Sequence, residues 1–238
     1  AARSPRPPTM PESTPQLFGA FVQEAAGTIL MFLLTFALPS ALGDSSWTGW
    51  IGHAFGVITL DVVSGGGQVN PAVTCAMLAY GNVATMGAIV RIAGQLFGAY
   101  FAFPLMRSLT PDYVALGGPQ LQPGVSVETG MMVEGLATAA LVLVVFFCIT
   151  YIGDPAKRPI IAATIRALIV AAGATGPSMN PAIAMAWASY TSPLGGLAWA
   201  TFEHFLVYWI APTVAAVAVA LSWSVLQGML HQKKPKTA

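Results

Sequence analysis

Charge is scarce in this chain. Only 8% of its 238 residues are Asp, Glu, Lys or Arg, whereas a soluble domain carries about a quarter. With 55% hydrophobic residues and a mean hydropathy of +0.69, no core of this size hides so much apolar surface from water. A soluble globular protein is excluded, and an integral membrane protein is implied. The net charge of +1 excludes nucleic-acid binding driven by bulk charge. Cysteine is equally scarce: Cys75 and Cys148 both sit in apolar stretches, against a disulfide framework or a zinc cluster. The three histidines, His53, His204 and His231, stand apart with no ligand spacing. No nucleophile–base pair appears, so neither catalysis nor a cofactor is expected.

Glycine and proline, by contrast, are plentiful (24 and 18). Both are tolerated in membranes where neighbouring or broken helices recover the backbone hydrogen bonds. Residues 1–16 hold Pro5, Pro7, Pro8, Pro11 and Pro15 and read as a disordered arm, a processed targeting remnant being one origin for it. Apolar windows at 17–42, 47–63, 86–106, 127–150, 160–173 and 202–226 predict six spans at about 20 residues each. Two shorter stretches, 70–80 and 180–190, predict re-entrant half-helices, and 227–238 reads as a basic tail. Arg3 and Arg6, then Lys157 and Arg158, then Lys233, Lys234 and Lys236 fall on one side, which predicts cytoplasmic termini.

An internal repeat sets the architecture. Asn70-Pro71-Ala72 recurs as Asn180-Pro181-Ala182, an offset of 180 − 70 = 110, and Glu24 pairs with Glu134 at the same offset. Thr28 with Thr138 and Phe36 with Phe146 keep that register. Three spans per half (about 17–106 and 127–226) is an odd number, so the halves are inverted and their shared site is expected near the midplane. That alone implies a channel or a transporter. Proline at a first helical position forfeits no hydrogen bond, and asparagine before it caps the helix while carrying an outward NH₂ donor. Two helix N-termini meeting at midplane would place partial positive charge there, orient a passing water through Asn70 and Asn180, and repel cations. Ala72 and Ala182 are expected as small packing residues where the half-helices touch.

The paired Asn-Pro-Ala motifs, a glutamate in the first span of each half and six spans resemble the aquaporin, or major intrinsic protein, superfamily, from about Leu17 to Leu226. The segment Thr175-Gly176-Pro177-Ser178-Met179-Asn180-Pro181-Ala182 and Val207-Tyr208-Trp209-Ile210-Ala211-Pro212 are similar to the small basic intrinsic proteins of plants and algae. Two features depart from that subfamily: its first motif is usually altered at the alanine, and +1 is hardly basic. The resemblance implies an all-α fold of six transmembrane helices plus two half-helices, a homotetramer in the lipid bilayer, and passive passage of water or a small neutral solute. It also implies that Glu24 and Glu134 stabilise the loops before the half-helices.

The family's outer filter would fall on Leu168, Pro177 and Ile183, with Trp50 or Ile51 from the second span. The usual histidine and arginine are absent there, which predicts an apolar filter, slow water passage and a better fit for a less polar solute. Arg166, two residues from Leu168 and about 200° round the helix, is expected to stay out of that filter. Arg91 is expected to snorkel or pair with a carboxylate, and Asp61 to stabilise a loop or face a vestibule. Satisfied structural roles are expected for His53 and His204, and packing or interfacial roles for Trp187, Trp199, Trp209 and Trp223. Lys234 and Lys236 match a lysine-x-lysine-x-x end resembling an endoplasmic-reticulum retrieval signal, which favours an internal membrane over plasma membrane, vacuole or organelle envelope. The alternatives are a facilitator of glycerol, hydrogen peroxide, ammonia or urea with little water flux, and a non-conducting subunit of a membrane assembly.

Overall fold

The computed structural model describes residues 12–37, 46–111, 118–191 and 201–232. Helix α1 (Thr14–Phe32) widens into a π turn at Leu33–Ala37. It begins inside the arm expected over 1–16, for a local reason. The Gln16 side chain accepts both the Ser13 backbone N–H (2.8 Å) and the Ser13 hydroxyl (2.9 Å), and Pro15 sits in the first turn, where no intrahelical donor is lost. Helix α2 (Ser46–Val63) leads to the half-helix α3 (Pro71–Ala79), and α4 (Thr85–Leu109) completes the first half.

The second half runs through α5 (Val127–Phe147, with a π turn at Cys148–Ile152) and α6 (Lys157–Ala171). The half-helix α7 (Pro181–Thr191) follows a 3-10 turn at Gly173–Thr175. The last helix, α8, comprises Phe202–Phe205, a π turn at Leu206–Ile210, and Ala211–Gln232, so it passes beyond the expected boundary at 226. Thr14–Ala37, Thr85–Leu109, Val127–Ile152 and Phe202–Leu230 are each long and apolar enough to cross a membrane. The other two spans are shorter: α2 has 18 described residues and α6 has 15, the latter diluted by Lys157, Arg158 and Arg166. Lys234 and Lys236 lie outside the described residues.

Packing follows the inverted repeat. Helix α1 lies along α4, and α5 lies along α8, the same pair in each half. Each half-helix then packs against the last helix of the opposite half, α3 on α8 and α7 on α4. Lipid offers no hydrophobic drive for helix pairing, so close backbone approach decides which faces meet. On α4 that face carries Gly94 and Gly98, one turn apart. A Cβ at Gly98 would lie 2.5 Å from the Ala25 carbonyl oxygen of α1, and one at Gly94 2.5 Å from that of Phe21. Arg91, on the same helix, does pair with a carboxylate: Nη1 and Nη2 reach the two oxygens of Glu12 at 3.0 and 2.9 Å, tying the chain's start to α4.

Replacing Gly98 by valine should push α1 off α4 and lower stability by about 1–3 kcal/mol, read as a fall in the thermal unfolding midpoint in detergent. Gly19→Ala is the matched comparison. It meets nothing within 4 Å and should hold or raise the midpoint, because alanine is the better helix former.

Candidate functional site

Two buried carboxylates organise the centre. Glu24 of α1 accepts the backbone N–H of Gln68 on Oε1 (2.9 Å) and that of Val69 on Oε2 (2.7 Å). Glu134 of α5 accepts Ser178 N–H on Oε1 (3.1 Å) and Met179 N–H on Oε2 (2.8 Å), with the Thr175 hydroxyl donating to Oε1 at 2.7 Å. The residues so held, Val69 (φ 48°) and Met179 (φ 51°), have left-handed backbones, which a β-branched valine rarely adopts. That conformation turns each following asparagine into position as a helix cap.

Asn70 Oδ1 accepts the Ala72 N–H at 2.9 Å, and Asn180 Oδ1 accepts the Ala182 N–H at 3.1 Å. The NH₂ groups then cross over. Asn70 Nδ2 donates to the Met179 carbonyl and Asn180 Nδ2 to the Val69 carbonyl, both at 2.8 Å. One hydrogen of each amide is thus spent on the opposite loop; the second of Asn70 remains for the cavity beside it, while Asn180 Nδ2 also reaches Met31 Sδ of the cavity wall in a long contact of 4.0 Å. Pro71, Ala72, Pro181 and Ala182 are all buried, the two alanines completely. They form the joint between α3 and α7, while both asparagines line the cavity.

That cavity encloses about 420 Å³. At one end its wall includes Asp61 and Lys157, and at the other Pro119, Pro177 and Trp187. Ile183 lines it as well, so two of the four expected filter residues are wall residues. The other two are not. Trp50 lies in the first turn of α2, more than a third exposed (37%) and outside the wall; His53, Val57, Leu60 and Asp61 are the α2 residues that face the cavity. Leu168, Ile165 and Ile169 all pack against the cluster of Ala137, Leu141, Ala172 and Met179, but of the three only Ile165 and Ile169 line the cavity. Counting twelve residues back from Asn180 ignores the tighter 3-10 turn at Gly173–Thr175, which shifts the register of α6. Arg166, expected to stay out, is a wall residue. Trp187 is also more than packing: it lines the cavity while meeting Phe36 and Phe103 edge-on. Asp61 accepts Arg158 Nε at 2.6 Å, joining α2 to α6 at its mouth.

Residues that sequence reasoning missed support the loops differently in each half. Gln95 Nε2 bridges Glu24 Oε2 and Thr74 Oγ1, both at 2.9 Å. In the second half the Tyr208 hydroxyl donates to the Thr175 carbonyl oxygen. A buried glutamine at midspan was the visible signal for the first. Nothing in the local sequence marks the second.

A paired half-helix centre inside a six-span inverted repeat is matched by the Major intrinsic protein family over residues 12–223. The chain belongs to that family. Its relatives include Aquaporin TIP1-2 of Zea mays, 33% identical over 183 residues (73% of this chain, 67% of that protein). Aquaporin SIP1-1 of Arabidopsis thaliana is 32% identical over 169 residues (67% of each chain). The aquaglyceroporin structure from Plasmodium falciparum shares the fold, with a TM-score of 0.73 at 18% identity over 90% of this chain and 99% of that one. Small basic intrinsic proteins thus stand among the relatives, beside TIP-type aquaporins. As a major intrinsic protein the chain is a passive, multi-pass membrane channel for water.

Glu134→Gln should replace one acceptor by a donor facing a backbone N–H, costing about 1–3 kcal/mol and loosening the second loop. A drop in thermal midpoint together with reduced osmotic flux in proteoliposomes is expected; an unchanged midpoint would contradict the carboxylate's role as the loop's anchor.

Proposed function

We propose that water passes in single file between Asn70 and Asn180, driven only by its osmotic gradient. The observation that carries this reading is the exchange of amide hydrogen bonds between the two loops beside a cavity that both asparagines line. Asn70 keeps one N–H for a water oxygen, Asn180 offers one by giving up its weak contact with Met31 Sδ, and the N-termini of α3 and α7 add partial positive charge around it. A water held by two donors at the centre points its hydrogens outward both ways, which interrupts a proton wire.

Most of the remaining wall is hydrocarbon: Val57, Leu60, Leu141, Val145, Ile149 and Ile165. Pro177 and Ile183 are the expected filter residues that stand in it, with Ile169 in place of Leu168. This apolar lining supports a second reading, in which a small neutral solute with C–H surface, such as glycerol, competes with water. Kinship with the family supports assembly as a homotetramer. The apolar outward faces of Phe18, Phe97, Phe101, Leu136 and Val214 suit lipid or neighbouring copies. Kinship with SIP-type proteins favours an internal membrane such as the endoplasmic reticulum.

Stopped-flow light scattering on proteoliposomes tests the reading. Wild-type vesicles should shrink several-fold faster than empty ones after an osmotic step. Ala182→Trp should abolish the difference by filling the joint between α3 and α7. Ile183→Arg adds a donor to the apolar stretch and should speed water by about fivefold at most, the equivalent of roughly 1 kcal/mol for one net hydrogen bond. Wild-type flux equal to empty vesicles for water, but not for glycerol or urea, would favour the solute reading. Silence for all three would leave the non-conducting subunit.

A further inference from the structure

We propose that Arg166 of α6 and His53 of α2 form the selectivity station of this channel, donating hydrogen bonds to a permeating neutral oxygen and repelling cations. This rests on the channel reading above and gives it a polar site that the motif-relative filter positions lack.

Both side chains belong to the cavity wall, and they lie at one level. Helices α2 and α6 are joined by Asp61 and Arg158 and run antiparallel from that point. His53 is 61 − 53 = 8 residues back along α2, and Arg166 is 166 − 158 = 8 residues on along α6. At 1.5 Å per residue each is about 12 Å from the ion pair. The guanidinium is close enough to act electrostatically on the imidazole. Room for it comes from Gly49 on α2, where a Cβ would stand 2.9 Å from Arg166 Nη2.

Neither group is satisfied by protein. Arg166 Nε and His53 Nε2 are buried without a hydrogen-bond partner among the described residues, and His53 is only 6% exposed. The described carboxylates are placed elsewhere. Asp61 and Asp154 hold Arg158, and Glu12 holds Arg91. Glu24 and Glu134 hold the loops, and Glu128 and Glu203 are exposed at helix ends. An arginine at membrane depth with no counter-ion stands only where water solvates it. Its free donors suit the oxygen of water or a hydroxylated solute. Its fixed charge, with no carboxylate to neutralise it among the described residues, opposes ammonium-type cations.

Two fluxes in wild-type, Arg166→Leu, Arg166→Lys and His53→Ala proteoliposomes test the station: osmotic water flux, and uptake of methylammonium. Wild type should pass water and exclude methylammonium. Arg166→Leu should admit methylammonium at least tenfold above wild type, Arg166→Lys should restore exclusion, and His53→Ala should slow water while leaving exclusion intact. Equal water flux and equal exclusion in Arg166→Leu and wild type would overturn the station and leave the channel standing. Wild-type vesicles that shrink no faster than empty ones would overturn the channel, and the station with it. As a check that does not depend on a working Leu variant, Arg166→Cys in a Cys75→Ser, Cys148→Ala background should react with a small cationic methanethiosulfonate in intact vesicles. A thiol that stays unmodified there and reacts only after denaturation would overturn its place in the water path.

Discussion

Two residues with left-handed backbones, Val69 and Met179, must be held against their own preference for the centre of this molecule to exist. Each such conformation costs about 1–3 kcal/mol in a non-glycine residue, and each is held by a buried carboxylate that accepts its N–H at 2.7 or 2.8 Å. A charge-assisted bond of this kind contributes about 1.5–3 kcal/mol, enough to offset the strain. The carbonyl groups of the same two residues then receive the opposite asparagine amides. Strain, carboxylate and amide exchange therefore form one closed arrangement: releasing any one frees a buried polar group, for which the protein interior offers no substitute.

The arrangement is twofold at its centre and unlike at its edges. Gln95 locks Glu24 to Thr74 in the first half, whereas Thr175 and Tyr208 brace Glu134 in the second. Position 205, the repeat partner of Gln95, is Phe205, so the second half has no glutamine to place. The π turn at Leu206–Ile210 changes the winding of α8 just where Tyr208 is needed. Two inverted halves can thus share a backbone plan while reaching the same constraint, a fixed glutamate, with different side chains.

The plan was legible because it is written in spacing. The offset of 110 residues carried Glu24 onto Glu134 and Asn70 onto Asn180, and apolar windows marked six spans. Leu168 and Trp50 stand outside the cavity wall, and their positions were counted along the chain across a stretch whose winding is not constant. A 3-10 turn stands between α6 and Asn180, and the cavity wall takes Ile169 from α6 and His53 from α2. The ion pair of Glu12 with Arg91 joins residues 79 apart, and the bond between Asp61 and Arg158 joins residues 97 apart. Spacing signals nothing about such contacts, since they depend on which helices become neighbours.

Arg166 shows most plainly how charge must be read in a membrane. Four described arginines lie in or beside the spans. Arg91 and Arg158 have carboxylates, and Arg107 donates to the Tyr190 carbonyl oxygen at 3.2 Å. Among the described residues Arg166 has none of these, and the penalty for a bare guanidinium in hydrocarbon amounts to at least about 2.5 kcal/mol. Stability alone would discard such a residue, so its surroundings must be wet. A wet stretch beside Arg166 and His53 limits how far an apolar description of the path can extend. The hydrocarbon wall of Ile165 and Ile169 on α6 and Ile183 on α7 is interrupted by Arg166 on α6 and His53 on α2. A permeant therefore meets hydrogen-bonding groups twice, once at this level and once between Asn70 and Asn180, and crosses hydrocarbon between them.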